Sequence, residues 1–155
     1  MSSMWKTLKN EPIASIQDFV REAARANQAV HIGTDSLQSG RSTQFVTVVV
    51  ILTPRRGGRV AYVRASVRRI HSLRERLLSE VWRSVTLGLE LSPLVPGELT
   101  VHIDANPVVK HRSSAYVQEL VGLVVGQGFR AAIKPESWAA THCADRVARG
   151  LVGVA

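Results

Sequence analysis

Two stretches of the chain run a hydrophobic segment into an aspartate: VHIGTDS, Val30 to Ser36, and its near copy VHIDANP, Val101 to Pro107. Asp35 and Asp104 are carboxylates of the kind that hold Mg2+ or Mn2+, hard cations that prefer oxygen ligands and keep several waters. Brought together at neighbouring strand ends, they would form the centre of a metal site. Alternatively each begins a turn, its side chain accepting hydrogen bonds ahead of Ser36 and Asn106. The elements that carry them decide between the two.

In PIASIQDFVREAARAN, Ile13, Ile16, Phe19, Val20 and Ala23 recur every three or four residues, which predicts an amphipathic N-terminal helix. AVHIG then reads as a buried strand that ends in the Gly33–Ser36 segment, and SGRS turns the chain. QFVTVVVILT is rich in β-branched residues and stops at Pro54, RRGGR connects, and VAYVRASV completes an antiparallel meander. From Ser72 the period changes to about 3.6, with Leu73, Leu77, Val81, Val85 and Gly88 on one face of a long helix. Ser72 is its N-cap, with Glu75 placed for a capping box. Pro93 and the Pro96-Gly97 pair end it, and ELTVHID is the fourth strand. A helix in SAYVQELVGLVVGQG, a fifth strand in FRAAIK and a last helix from about Ser137 follow.

Right-handed crossovers return the fourth strand parallel to the first, and the fifth likewise. The predicted fold is α/β: a mixed five-stranded sheet, three antiparallel strands then two parallel, with helices on both faces and an extra N-terminal helix. Residues 1–28 form the N-terminal helical extension and 29–155 the compact domain. Asp35 and Asp104 then lie side by side near the carboxyl ends of adjacent strands, where ligands of open α/β sheets bind.

After the first helix this order of elements resembles the ribonuclease H fold. HIGTDS, SLRERLLSEVWRS, VHIDANP and IKPESWAATHCADR are similar, more closely, to the bacterial YkuK-like family of ribonuclease H-like proteins, whose own activity is little characterised. The fold places an Asp on the first strand, a Glu in the first core helix, an Asp ending the fourth strand and an Asp in the last helix. The resemblance therefore implies Asp35, Glu80, Asp104 and Asp145 as catalytic metal ligands. It implies Mg2+ or Mn2+ as cofactor and a nuclease or related phosphodiesterase in which two ions activate water and stabilise the leaving oxygen. Each assignment has a plainer competitor. Arg76 stands four residues before Glu80 and Arg149 four after Asp145, spacings that suit surface ion pairs. Glu75 rivals Glu80 as a ligand but is accounted for by its cap. Many ribonucleases H carry a histidine in a mobile loop before the last helix; here His142 falls inside the helix and reads more readily as structural.

Around the carboxylates, Ser36, Asn106, Lys134, Arg55, Arg56 and Arg69 are candidate substrate contacts. Lys134 would reach a phosphate or neutralise the acidic cluster, with a plain exposed lysine as the competing reading. Trp138 is a core anchor or, less favoured, a platform for a base. His31, His102 and Cys143 read as core residues.

The chain has 155 residues, enough for one domain with its own core. Twenty Lys and Arg against twelve Asp and Glu give a formal charge of +8, and the pI is near 10.8. Surplus arginine suits a polyanionic partner, RNA, DNA or their hybrid, through counterion release; a solvated basic face is the competing account. A single cysteine excludes an internal disulfide and a thiolate zinc cluster. FVTVVVIL is too short to cross a bilayer, and MSSMWKTLKN lacks a secretory apolar core, so a cytoplasmic protein is expected. A homodimer is left open. Two other functions fit the same fold: a non-catalytic nucleic-acid-binding or scaffolding module, and, ranked lowest, actin-like nucleotide hydrolysis, which normally needs a second domain.

Overall fold

Val46, Val48, Val49, Val50 and Ile51 are all 2% exposed or less, so the strand that carries them is covered on both faces. β-branched side chains suit such a pleated, buried position. The structure, a computed structural model, describes residues 4–23, 28–53, 57–108 and 110–149. Its strands are β1 (Trp5–Thr7), β2 (Pro12–Ile13), β3 (Ala29–Ser39), β4 (Ser42–Thr53), β5 (Gly57–Arg68), β6 (Leu99–His102) and β7 (Arg130–Ala132). They form one sheet in the order β2-β1-β5-β4-β3-β6-β7. β3, β4 and β5 make the antiparallel meander; β6 and β7 continue it in parallel.

The sheet therefore has seven strands where the sequence predicts five. The additions, β1 and β2, are three and two residues long, too short to show alternation, and β1 is held by pairing Lys6 and Thr7 with Tyr62 and Ala61 of β5. Pro12 and Ile13 belong to this hairpin, so α1 begins only at Ile16 and runs to Ala23. The Ser15 hydroxyl caps it by accepting from the Asp18 N–H.

β3 also outruns its predicted end. It continues through Gly33–Ser36 to Ser39, because β4 pairs with it along the whole length, and the two-residue turn Gly40-Arg41 closes the hairpin with Gly40 at φ +56°. Asp35 is thus in the middle of a strand, opposite Val46, and the turn-initiating role is excluded for it.

The long helix α2 (Leu73–Leu91) has the predicted cap, the Ser72 hydroxyl accepting from the Glu75 N–H. α2 packs with α1 and α3 (Val117–Gly126) on one face, where Val20, Val81, Val85, Leu120 and Val124 meet Val30, Ile32, Val49 and Val101. The opposite face of β4 is covered by a π-helical segment, Ala139–Ala144, which runs directly into α4 (Asp145–Ala148). Helices on both faces are as the sequence predicts.

Candidate metal centre

The parallel register explains how the two aspartates meet. β6 pairs Val101 not with its echo Val30 but with Ile32, and His102 with Gly33. Continued two residues past β6, the same offset brings Asp104 level with Asp35. Asp104 follows its Val-His-Ile by one residue, whereas Asp35 follows its own after Gly33 and Thr34. The slip of two in register cancels that difference.

Glu80 enters from α2. Asp35, Glu80 and Asp104 each place a carboxylate oxygen such that all three lie within 4.8 Å of one another. Asp35 and Glu80 are buried and Asp104 is partly exposed. Side chains on β3 hold α2 in place. Ser36 donates a 2.6 Å hydrogen bond to Glu80 Oε2, and one turn along the helix Ser84 joins Thr34 (2.7 Å), which also meets Thr47 of β4 (2.9 Å). Burial and then the neighbouring Asp35 charge push the Glu80 carboxyl well above its ordinary value of 4.5; the Ser36 hydrogen bond opposes the rise, Asp104 adds to it, and Arg76 contributes a smaller lowering.

On the other side, backbone bonds continue beyond β7. Ile103 N–H donates to the Ala132 carbonyl and Lys134 N–H to that of Ala105, carrying Lys134 to Asp104, where Nζ lies 3.0 Å from Oδ1. Three carboxyl groups within 4.8 Å of one another, with Lys134 at Asp104 and Arg76 acting more weakly on Glu80, concentrate acidic groups in a partly desolvated place. An all-oxygen donor set of this charge fits a hard divalent cation.

The Ribonuclease H-like family profile matches residues 11–149. The chain belongs to the ribonuclease H-like family. It is similar to the uncharacterized protein YkuK of Bacillus subtilis (strain 168), 27% identical over a 146-residue alignment, with 84% of this chain and 85% of that protein covered. Among solved structures it is similar to RNase H1 from the halophilic archaeon Halobacterium salinarum NRC-1, with a TM-score of 0.45 and 15% identity over 79% of this chain and 98% of that one. The N-terminal RNase H domain of rv2228c from Mycobacterium tuberculosis, solved as a fusion with maltose-binding protein, gives 0.40 and 17% over 79% and 94%.

Within this ribonuclease H-like chain the other predicted positions are distributed unevenly. Asp145 is the first residue of α4, which packs on β3 and β4; its side chain lies outside the described part of the molecule. Asn106 shapes its own loop, its side-chain oxygen accepting from the Val108 N–H and its N–H donating to Ser113 Oγ. Arg69 donates to the Gly40 carbonyl and so ties the β3–β4 turn to the end of β5. Arg64 donates to the Val147 carbonyl and Arg74 pairs with Glu119. Arg55 and Arg56 lie outside the described residues.

His31 and His102 are neighbours across β3 and β6. The Ala139 N–H donates to His102 Nδ1 (3.2 Å), which leaves the ring proton on Nε2 to be donated to His31 Nδ1 at 2.8 Å. Trp138 packs on both rings, with centroids 4.8 and 4.7 Å away, a core role. His142 is exposed rather than a buried structural residue. The sequence alone does not assign the hydroxyls of Ser36, Thr34 and Thr47 the role of fixing α2. Small polar residues on the helix-facing side of a buried strand are the signal that marks them.

Proposed function

We propose that the chain is a divalent-metal-dependent nuclease or related phosphodiesterase acting on nucleic acid. The convergence of Asp35, Glu80 and Asp104 from three separate elements within 4.8 Å supports this reading most directly. These residues would hold Mg2+ or Mn2+, with Asp145 of α4 as a fourth ligand. The bound metal would supply activation of water and stabilisation of the leaving oxygen in phosphodiester hydrolysis. Ser36 orients Glu80, and Lys134 offsets part of the charge at Asp104 while standing near enough to contact a phosphate. Asn106, Arg69, Arg55 and Arg56 are proposed as further substrate contacts. Membership of the ribonuclease H-like family and the surplus of basic residues favour nucleic acid as the partner.

The test is cleavage of labelled RNA, DNA, hybrid and branched substrates with Mg2+ or Mn2+, alongside Asp35→Asn and Asp104→Asn. Metal-dependent cleavage that is lost in both variants is the expected result. Full activity in both would overturn the metal centre. Salt-sensitive binding that survives chelation, with no cleavage of any substrate, would make the chain a non-catalytic nucleic-acid-binding module.

A further inference from the structure

A groove of about 580 Å³ lies beside the carboxylates rather than on them. α2 leaves the β5 and β1 side of its sheet face open, and the resulting groove is lined by Trp5, Phe45, Val63, Val67, Trp82 and Arg83. Its size is that of a small-molecule or nucleotide site. Trp82 is 51% exposed. The Arg83 guanidinium sits 4.3 Å from the centroid of the Phe45 ring, which fixes a cation at the groove wall.

The groove is linked to the metal centre through neighbouring residues. Ser79 lines it next to Glu80, and Phe45 is the cross-strand partner of Ser36, the residue that holds Glu80. From Ser79 it follows α2 to Glu90, a rise of ~16 Å, and there Gln17 donates a hydrogen bond to the Glu90 carboxylate. A half-exposed indole, next along α2 to a guanidinium held against Phe45, in a chain of net charge +8, has the chemistry for an aromatic, anionic ligand.

We infer that the groove between α2 and β5 is a subsite for unpaired bases, with Trp82 as the stacking platform and Arg83 facing the adjacent phosphate. The substrate of the carboxylate centre is then single-stranded, or carries unpaired nucleotides next to the scissile bond. This rests on the proposed function for its setting. A base inside a duplex has both faces stacked and offers none to an indole in a groove.

The test is binding, read by anisotropy in EDTA so that it does not depend on the metal centre. A short fluorescent single-stranded oligonucleotide is compared with the blunt duplex of the same sequence. Trp82→Ala should weaken single-strand binding roughly tenfold, Trp82→Phe should restore most of it, and duplex affinity should change much less. Trp82 is half exposed, so its truncation removes little core, and circular dichroism checks the fold. Unchanged single-strand affinity, an equal loss for both forms, or no single-strand binding by the unaltered protein would overturn the inference. So would a dimer, seen by light scattering, that Trp82→Ala splits without altering oligonucleotide affinity; the groove would then be an interface between copies. Absence of cleavage in a parallel Mn2+ assay counts against the proposed function and leaves this binding result to be judged by itself.

Discussion

Ser36 and Glu80 are joined by a 2.6 Å hydrogen bond between β3 and α2, one residue past Asp35. The strand that supplies one carboxylate of the cluster therefore also fixes the rotamer of another. Without such a tie, a flexible glutamate next to two aspartates would turn away from them by charge repulsion.

Ser36→Ala removes that tie without adding bulk. The hydrogen bond is one of the forces that lower the Glu80 pKa, so its loss drives the carboxyl further above its ordinary range. Partners that orient a ligand typically contribute ten- to a hundredfold in metal affinity. Mn2+ affinity measured by calorimetry should fall roughly tenfold, and Ser36→Thr, which keeps the hydroxyl, should recover much of it. Equal affinity in Ser36→Ala would show that Glu80 is held by something else.

Glu80→Gln should stabilise the metal-free protein and remove its response to metal. Glu80 is 5% exposed, and burial followed by the Asp35 charge raises its pKa. The native state thus holds this proton more tightly than the unfolded chain does. That contribution to stability is full below the ordinary glutamate value of 4.5 and is lost as pH rises through the raised native value. Glutamine has no charge to lose. At pH above the raised native value its melting temperature should stand above that of the unaltered chain. Adding Mn2+ should raise the melting temperature of the unaltered chain and leave the variant's unchanged. A variant less stable than its parent without metal would contradict this burial and charge repulsion at Glu80.

The parts of this arrangement legible in the sequence are those with long-range pattern. The α2 periodicity, the Ser72 cap and the β-branched run of β4 each involve many residues acting together, and each is found where predicted. The pairing of Asp35 with Asp104 was legible too, though for an imperfect reason. Both were expected at strand ends, whereas Asp35 is inside β3 and Asp104 beyond β6. Strand ends are set by what the partner strand offers, and β4 continues pairing through the glycine, threonine and aspartate that locally suggest a turn. β1 and β2 leave no such pattern because their order comes from the edge of β5, not from their own residues. The Arg residues that contact backbone carbonyls, Arg64 and Arg69, show no local signal either, since their partners lie far away in sequence.

His102 should remain neutral well into the acid range. It is 2% exposed, Nδ1 accepts from a backbone N–H, and burial, with a smaller effect of His31, lowers its pKa from 6.5 to about 3. In the unfolded chain the ring titrates normally. Between these two values the unfolded state binds more protons, so this group destabilises the fold as pH falls from 6.5 towards 3. The sign is opposite to that of Glu80, whose contribution is greatest in acid. Denaturant unfolding of the unaltered chain and of His102→Gln, from neutral pH to about pH 4, should show a shallower acid loss in the variant, even if its neutral-pH stability is reduced by disturbing the bond to His31. An imidazole NMR signal for His102 that titrates near 6.5 would rule out this buried, neutral ring.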